Sequence, residues 1–128
     1  MAKKIVLAGA CRTAIGTMGG ALSTTTAAEL GAIVIKEALN RAGVAPEAVD
    51  QIYMKGFIQA GMGQNVTRQA SIKAGWPIEV PAITMNVVCG SGLNCVNQAA
   101  QMILAEDADI VVAGDMENMS MAPNAIPQ

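Results

Sequence analysis

Histidine is absent from the 128 residues, and phenylalanine, tyrosine and tryptophan occur once each. Without histidine the chain lacks both a common zinc ligand and the usual general base near neutral pH. Its three cysteines, Cys11, Cys89 and Cys95, match no metal-ligand spacing, so no metal site is expected. A net charge of −2 and the lack of any aromatic-plus-arginine platform exclude an ordinary nucleic-acid binder. Charged residues make up only 14% of the chain, against roughly 25% in a typical soluble domain. A small domain has much surface for its volume and should lean towards polar residues. The shortage of charge therefore implies that part of the surface is covered by something else. No apolar run approaches the ~18 residues of a membrane span. The start, Met-Ala-Lys-Lys and a short apolar run, lacks the apolar region and cleavage site of a signal peptide. A cytoplasmic chain with free thiols rather than disulfides is expected.

What the chain has instead is aliphatic: 52% hydrophobic residues, nine of the 128 being methionine. Four β-rich apolar runs, 4–10, 51–58, 82–88 and 108–114, alternate with three helical patterns. The first run, KIVLAGA, reads as a strand buried on both faces. The first helix starts at a Thr-x-x-Glu capping box, Thr26 and Glu29, and stops at Gly43. Pro46 opens one further turn. A second helix runs from about Val66 to Ala74, where Gly75 and Pro77 end it. The third spans Leu93 to Leu104, with Val96, Ala99, Ala100, Ile103 and Leu104 on one face. The order βαβαβαβ predicts an α/β fold, a mostly parallel sheet with helices on both faces. Residues 1–114 form the core, and 115–128 read as a loop leading away from it.

The stretch NVVCGSGL, 86–93, places Cys89 between the third strand and the third helix, followed by Gly90, Ser91 and Gly92. In open α/β sheets, sites lie at the carboxyl ends of strands beside helix N-termini. There, unpaired N–H groups and a partial positive charge favour an anionic sulfur and can stabilise an oxyanion, the Cys89 N–H being one donor. The chemistry points to an acyl-enzyme nucleophile. The plainer alternative is that Cys89 packs as a small hydrophobe, which is what most cysteines do. Cys95, about 1.7 turns further on, faces elsewhere and reads as core; Cys11 also reads as structural. A glycine turn also invites a dinucleotide reading, but neither GSG at 90–92 nor GMGQNV at 61–66 completes G-x-G-x-x-G. Asp115 and Glu117 read as solvated loop carboxylates.

CRTAIGTMGGAL (11–22), ELGAIVIKEALNRAGV (29–44), QAGMGQNVTRQASIKAG (59–75), NVVCGSGL and DIVVAGDMENMSMAP (109–123) together resemble the amino-terminal half of a biosynthetic thiolase. That family is the acetyl-CoA C-acetyltransferases, also called acetoacetyl-CoA thiolases. The resemblance implies a thiolase-like half-domain, incomplete relative to the family, with 115–128 leading towards a CoA-binding loop domain. It implies that Cys89 is acylated by acetyl-CoA or acetoacetyl-CoA, and that a second acetyl-CoA, deprotonated at its methyl carbon, attacks the acyl group. No metal or redox cofactor is implied, the CoA thioester being the substrate. The family's histidine, second cysteine and water-holding asparagine come from its other half. Activity is thus expected only with a missing carboxyl-terminal part, in a homo-oligomer, in short-chain acyl and lipid metabolism. No membrane or nucleic-acid partner is implied.

The chain departs from the family pattern at several places. Lys55 and Gly56 stand where Gly-Asn is usual, Asn94-Cys95 replaces Lys-Ala, and Asp115 follows Gly114 where a second glycine is usual. Met121 and Asn124 stand where a basic residue and an aromatic are usual. These differences motivate an alternative: a non-catalytic half-domain serving as a structural or partner-binding module. A standalone cysteine acyl carrier or hydrolase is disfavoured, because a cysteine nucleophile usually needs a histidine partner.

Overall fold

The computed structural model describes residues 4–127; residues 1–3, part of the start read above as lacking a leader, and residue 128 lie outside the described residues. Three parallel strands make the sheet: β1 (Gln51–Lys55), β2 (Ala82–Met85) and β3 (Val111–Asp115), in the order β2-β1-β3. Helix α1 (Ala27–Ala42) precedes β1, α2 (Val66–Lys73) joins β1 to β2, and α3 (Ser91–Leu104) joins β2 to β3. Going from β1 to β2 the chain moves one way across the sheet, and from β2 to β3 it moves back over β1. Crossovers of one hand then require α2 and α3 to lie on opposite faces.

Side-chain alternation along β1 fits that arrangement. Ile52 and Met54 enter the core with Ala28, Ile35, Val66 and Ala70 of α1 and α2. Tyr53 points the other way and donates its hydroxyl hydrogen to Met102 Sδ on α3 at 3.7 Å. The expected α/β class with a parallel sheet and helices on both faces is what forms.

Helix α1 begins and ends where its local signals place it. Thr26 Oγ1 accepts from the Glu29 N–H at 3.2 Å, and the Glu29 carboxylate accepts from the Thr26 N–H at 2.8 Å. Gly43 closes the helix in the left-handed region, φ 65°. Helix α2 is capped by Asn65. Asn65 accepts from the Arg68 N–H and from Thr84 Oγ1, which joins the helix start to β2.

The first of the four expected strands does not form. Residues 4–10 pair with no strand, and Val6 and Leu7 are 72% and 82% exposed rather than buried on two faces. The segment lies against α1 instead. Arg41 donates to the Ala10 carbonyl at 3.1 Å, and the Cys11 thiol donates to the Val34 carbonyl at 3.3 Å. Gly9 approaches so closely that a Cβ there would sit 2.1 Å from the Ala38 oxygen. A groove of about 400 Å³, lined by Ala8 to Thr13 on one side and Val112 to Glu117 on the other, separates the segment from β3. Across that gap no ladder hydrogen bond can close.

Candidate functional site

The turn between β2 and α3 is built by side chains that hold its backbone. Ser91 is fully buried. Its Oγ donates to the Val88 carbonyl at 2.6 Å and accepts from the Val87 N–H at 2.7 Å. Asn86 Oδ1 accepts from the Val88 N–H at 3.1 Å, while its Nδ2 donates to the Phe57 carbonyl at 2.9 Å. Between these two anchors Val88 adopts φ 59°. A β-branched side chain seldom enters that left-handed region, and holding it there costs on the order of 1–3 kcal/mol. The surrounding hydrogen bonds maintain the strain, and the next residue is Cys89.

Cys89 is exposed, as are all of residues 86–90. Helix α3 starts two residues later, and its N-cap Gly90 supplies no side-chain hydrogen bond. The helix therefore opens towards the cysteine without a side-chain cap on its positive end. Cys95, in contrast, is wholly buried in the stripe Ser91, Cys95, Ala99 that α3 turns to the sheet. Burial first, and then the charge of Asp115, push its thiol up to about 11. The three cysteines are thus one exposed at the turn, one in the core and one tied to α1.

That raised thiol gives a pH prediction. Between the ordinary cysteine value of 9.0 and about 11, the unfolded chain releases a proton that folded Cys95 retains. Stability from this group is full below pH 9 and is lost as pH rises towards 11, by roughly 2–3 kcal/mol in all. Urea unfolding at pH 8 and pH 10.5 should show Cys95→Ala losing less stability over that interval than the natural chain. Equal losses would remove Cys95 as the cause.

The two glycines of the turn prove unequal. Gly90 sits at φ −78°, ψ −5°, and a Cβ there would lie 3.7 Å from its nearest neighbour, the Val87 oxygen. At Gly92 a Cβ would meet Asp115 Oδ2 at 3.0 Å and Asp115 Cβ at 3.3 Å. Val88, not a glycine, takes the left-handed conformation of this turn, and Gly92 is there for clearance. Gly90→Ala should change urea-unfolding stability by less than about 0.5 kcal/mol, and Gly92→Val should cost about 1–3 kcal/mol. Equal effects would contradict the difference in clearance.

Glu117 is not the solvated loop carboxylate expected. Its Oε2 accepts from the N–H groups of Phe57 and Ile58 at 3.1 and 3.3 Å. Asn118 stitches the same loop to the segment before α1, donating to the Thr25 carbonyl at 2.6 Å. Asp115 is exposed but pairs with Lys55 Nζ at 3.3 Å. Glu117 was hidden because its donors lie 59 and 60 residues away in sequence. Asn86 did carry a local signal, since asparagine just past a strand often folds onto the N–H two residues on.

Fold and turn together define an α/β domain that presents an exposed cysteine at the carboxyl end of a parallel strand, before an uncapped helix. A family model described as "Thiolase, N-terminal domain" matches residues 5–128, and the chain belongs to that family. It is 54% identical over 127 residues to the acetyl-CoA acetyltransferase of Syntrophomonas wolfei, covering 99% of this chain and 32% of that protein. It is 57% identical over 123 residues to that of Cupriavidus necator, covering 96% of this chain and 31% of the relative. A cytosolic acetyl-CoA acetyltransferase of Mus musculus is 54% identical over 120 residues, 94% of this chain and 30% of the relative. The chain thus spans about a third of the length of these relatives.

Proposed function

We propose that Cys89 is the acyl-accepting nucleophile of an acetyl-CoA acetyltransferase to which this chain contributes the amino-terminal part. The observation that carries the proposal is the exposed Cys89 on a strained, fully anchored turn at the uncapped start of α3. In the proposed reaction the Cys89 thiolate attacks either the thioester carbonyl of acetyl-CoA, from which CoA leaves as its thiolate, or the 3-keto carbonyl of acetoacetyl-CoA. In the second case the carbon–carbon bond breaks, and acetyl-CoA leaves as its carbanion and takes up a proton. Both give acetyl-Cys89, and the Cys89 N–H donates to the oxyanion. The carbanion of a second acetyl-CoA then attacks acetyl-Cys89, forming the carbon–carbon bond and releasing the sulfur. The reverse direction is thiolysis. Since the chain has no histidine, the base that activates Cys89 comes, on this proposal, from another part of the protein.

In the same proposal residues 115–128 lead towards a CoA-binding loop domain, and the protein is a cytoplasmic homo-oligomer needing no metal or redox cofactor. The remainder of the protein and a second copy cover apolar surface such as Leu93, 70% exposed near the start of α3.

The test is to expose the protein from its natural source to acetoacetyl-CoA and record its denatured mass and peptide map. One acetyl group on Cys89 is expected. No adduct, or an adduct elsewhere, overturns the proposal.

A second reading has one observation in its favour: a carboxylate, Asp115, packs against Gly92 at the start of α3. An anion there competes for the positive helix end and fits a structural module with an idle thiol. It predicts that Cys89 alkylates no faster than N-acetylcysteine at the same pH. Cys95 cannot serve as the reference, because its burial alone makes it slow.

A further inference from the structure

We propose that Lys55, held between the carboxylates of Asp115 and Glu117, is the centre of an ionic clamp that fixes the Cys89 turn from both sides. Its consequence for acylation rests on Cys89 being the nucleophile; its consequence for the turn rests on geometry alone. Lys55 is the last residue of β1, and Asp115, the last of β3, is its partner in the parallel register. The ammonium lies 3.3 Å from Asp115 Oδ1 and 4.0 Å from Glu117 Oε2, and the lysine side chain is only 13% exposed.

Each carboxylate reaches a different flank of Cys89. Asp115 packs on Gly92, three residues after it. Glu117 holds the Phe57 and Ile58 N–H groups, the Phe57 carbonyl accepts from Asn86, and Asn86 accepts from the Val88 N–H immediately before it. One cation thus joins two paths that end at residues 88 and 92. A largely buried lysine without its carboxylates is costly, and two carboxylates deprived of their shared cation repel. Removing Lys55 should therefore release both flanks together. Lys55 touches none of the reacting atoms in this scheme; it is a positioning residue.

The test uses amide hydrogen exchange and acylation kinetics on the natural protein, Lys55→Met and Lys55→Arg. In Lys55→Met, exchange should accelerate about tenfold at 57–58 and across 86–93, with α1 unchanged, because opening of this turn becomes local. Acylation of Cys89 by acetoacetyl-CoA should fall between about tenfold and a hundredfold with KM within about twofold, the signature of a displaced reacting group. Lys55→Arg, which keeps the charge, should restore both. Two single-sided variants keep the proposal testable if Lys55→Met does not fold. Asp115→Asn should loosen only 90–93, and Glu117→Gln only 57–58 and 86–88. Unchanged exchange at 86–93, or equal acceleration in α1, overturns the clamp. Faster exchange with natural acylation overturns its positioning role. If the natural protein forms no acetyl-Cys89, the thiolase proposal falls while exchange still decides the clamp.

Discussion

Cys89→Ala is expected to abolish acyl transfer, by roughly a thousandfold or more, while leaving the fold in place. The loss is large because the acyl group in the proposed reaction is carried by the sulfur itself, and no neighbouring side chain can take its role. Ser91 is fully buried with both of its hydrogen-bonding functions engaged, Cys95 is sealed in the core, and Cys11 is bonded to α1. The fold survives because the Cys89 side chain is exposed and supports no core contact. The anchors of the turn, Asn86 and Ser91, act on residues 87 and 88 and do not need the sulfur. Acetyl transfer from acetoacetyl-CoA and urea unfolding, measured on the same preparation, check both halves. Substantial turnover would rule out Cys89 as nucleophile. Lost activity with a collapsed unfolding transition would instead mean that the sulfur supports the fold.

Which parts of this architecture could be read from sequence follows from the range of the interactions that create them. The ends of α1 were legible because Thr26, Glu29 and Gly43 act within one turn of the helix they bound. Apolar periodicity starts α3 at Leu93, two residues after its first residue, Ser91. It does not count a buried serine whose hydroxyl folds back on the preceding turn. The failure at 4–10 has another origin. KIVLAGA has the composition of a buried strand, but a strand exists only when a partner edge lies within hydrogen-bond reach. Here the segment follows α1, its glycine set against the Ala38 carbonyl, and β3 stays beyond the groove. The position of Cys89 at the mouth of a helix was readable from strand, glycine and helix signals in order. Of what holds it there, the Asn86 bond to the Val88 N–H carried a local signal. The bonds from Glu117 to the Phe57 and Ile58 N–H groups join residues about sixty positions apart and left none.

Ser91→Ala tests that support without touching the sulfur. The hydroxyl occupies a fully buried position and satisfies two backbone groups at once, the Val87 N–H and the Val88 carbonyl. Alanine fits the space but leaves both groups without this partner. Residues 87 and 88 are themselves exposed, so water can recover part of the loss. The expected cost is about 1–3 kcal/mol, the range for polar groups left short of a partner. The larger effect should be on chemistry. Val88 holds its left-handed φ of 59° only while the surrounding bonds exceed its strain. With the Ser91 hydroxyl bonds gone, only the backbone bond from the residue 91 N–H to the Val88 carbonyl and the Asn86 bond remain, so the backbone at 88 can relax into a common conformation, and Cys89 turns with it. Acylation should then fall about ten- to a hundredfold, because the thiol and its oxyanion donor no longer meet the carbonyl together. Ser91→Thr keeps the hydroxyl but adds a methyl to a buried site, so it should keep more of the acylation rate than Ser91→Ala even where it loses as much stability. Val88→Gly separates strain from anchoring, since glycine accepts a positive φ without penalty. Made in the Ser91→Ala background, it should recover part of the lost acylation only if backbone relaxation at 88 is the cause. No recovery would mean that the serine acts through its hydroxyl alone.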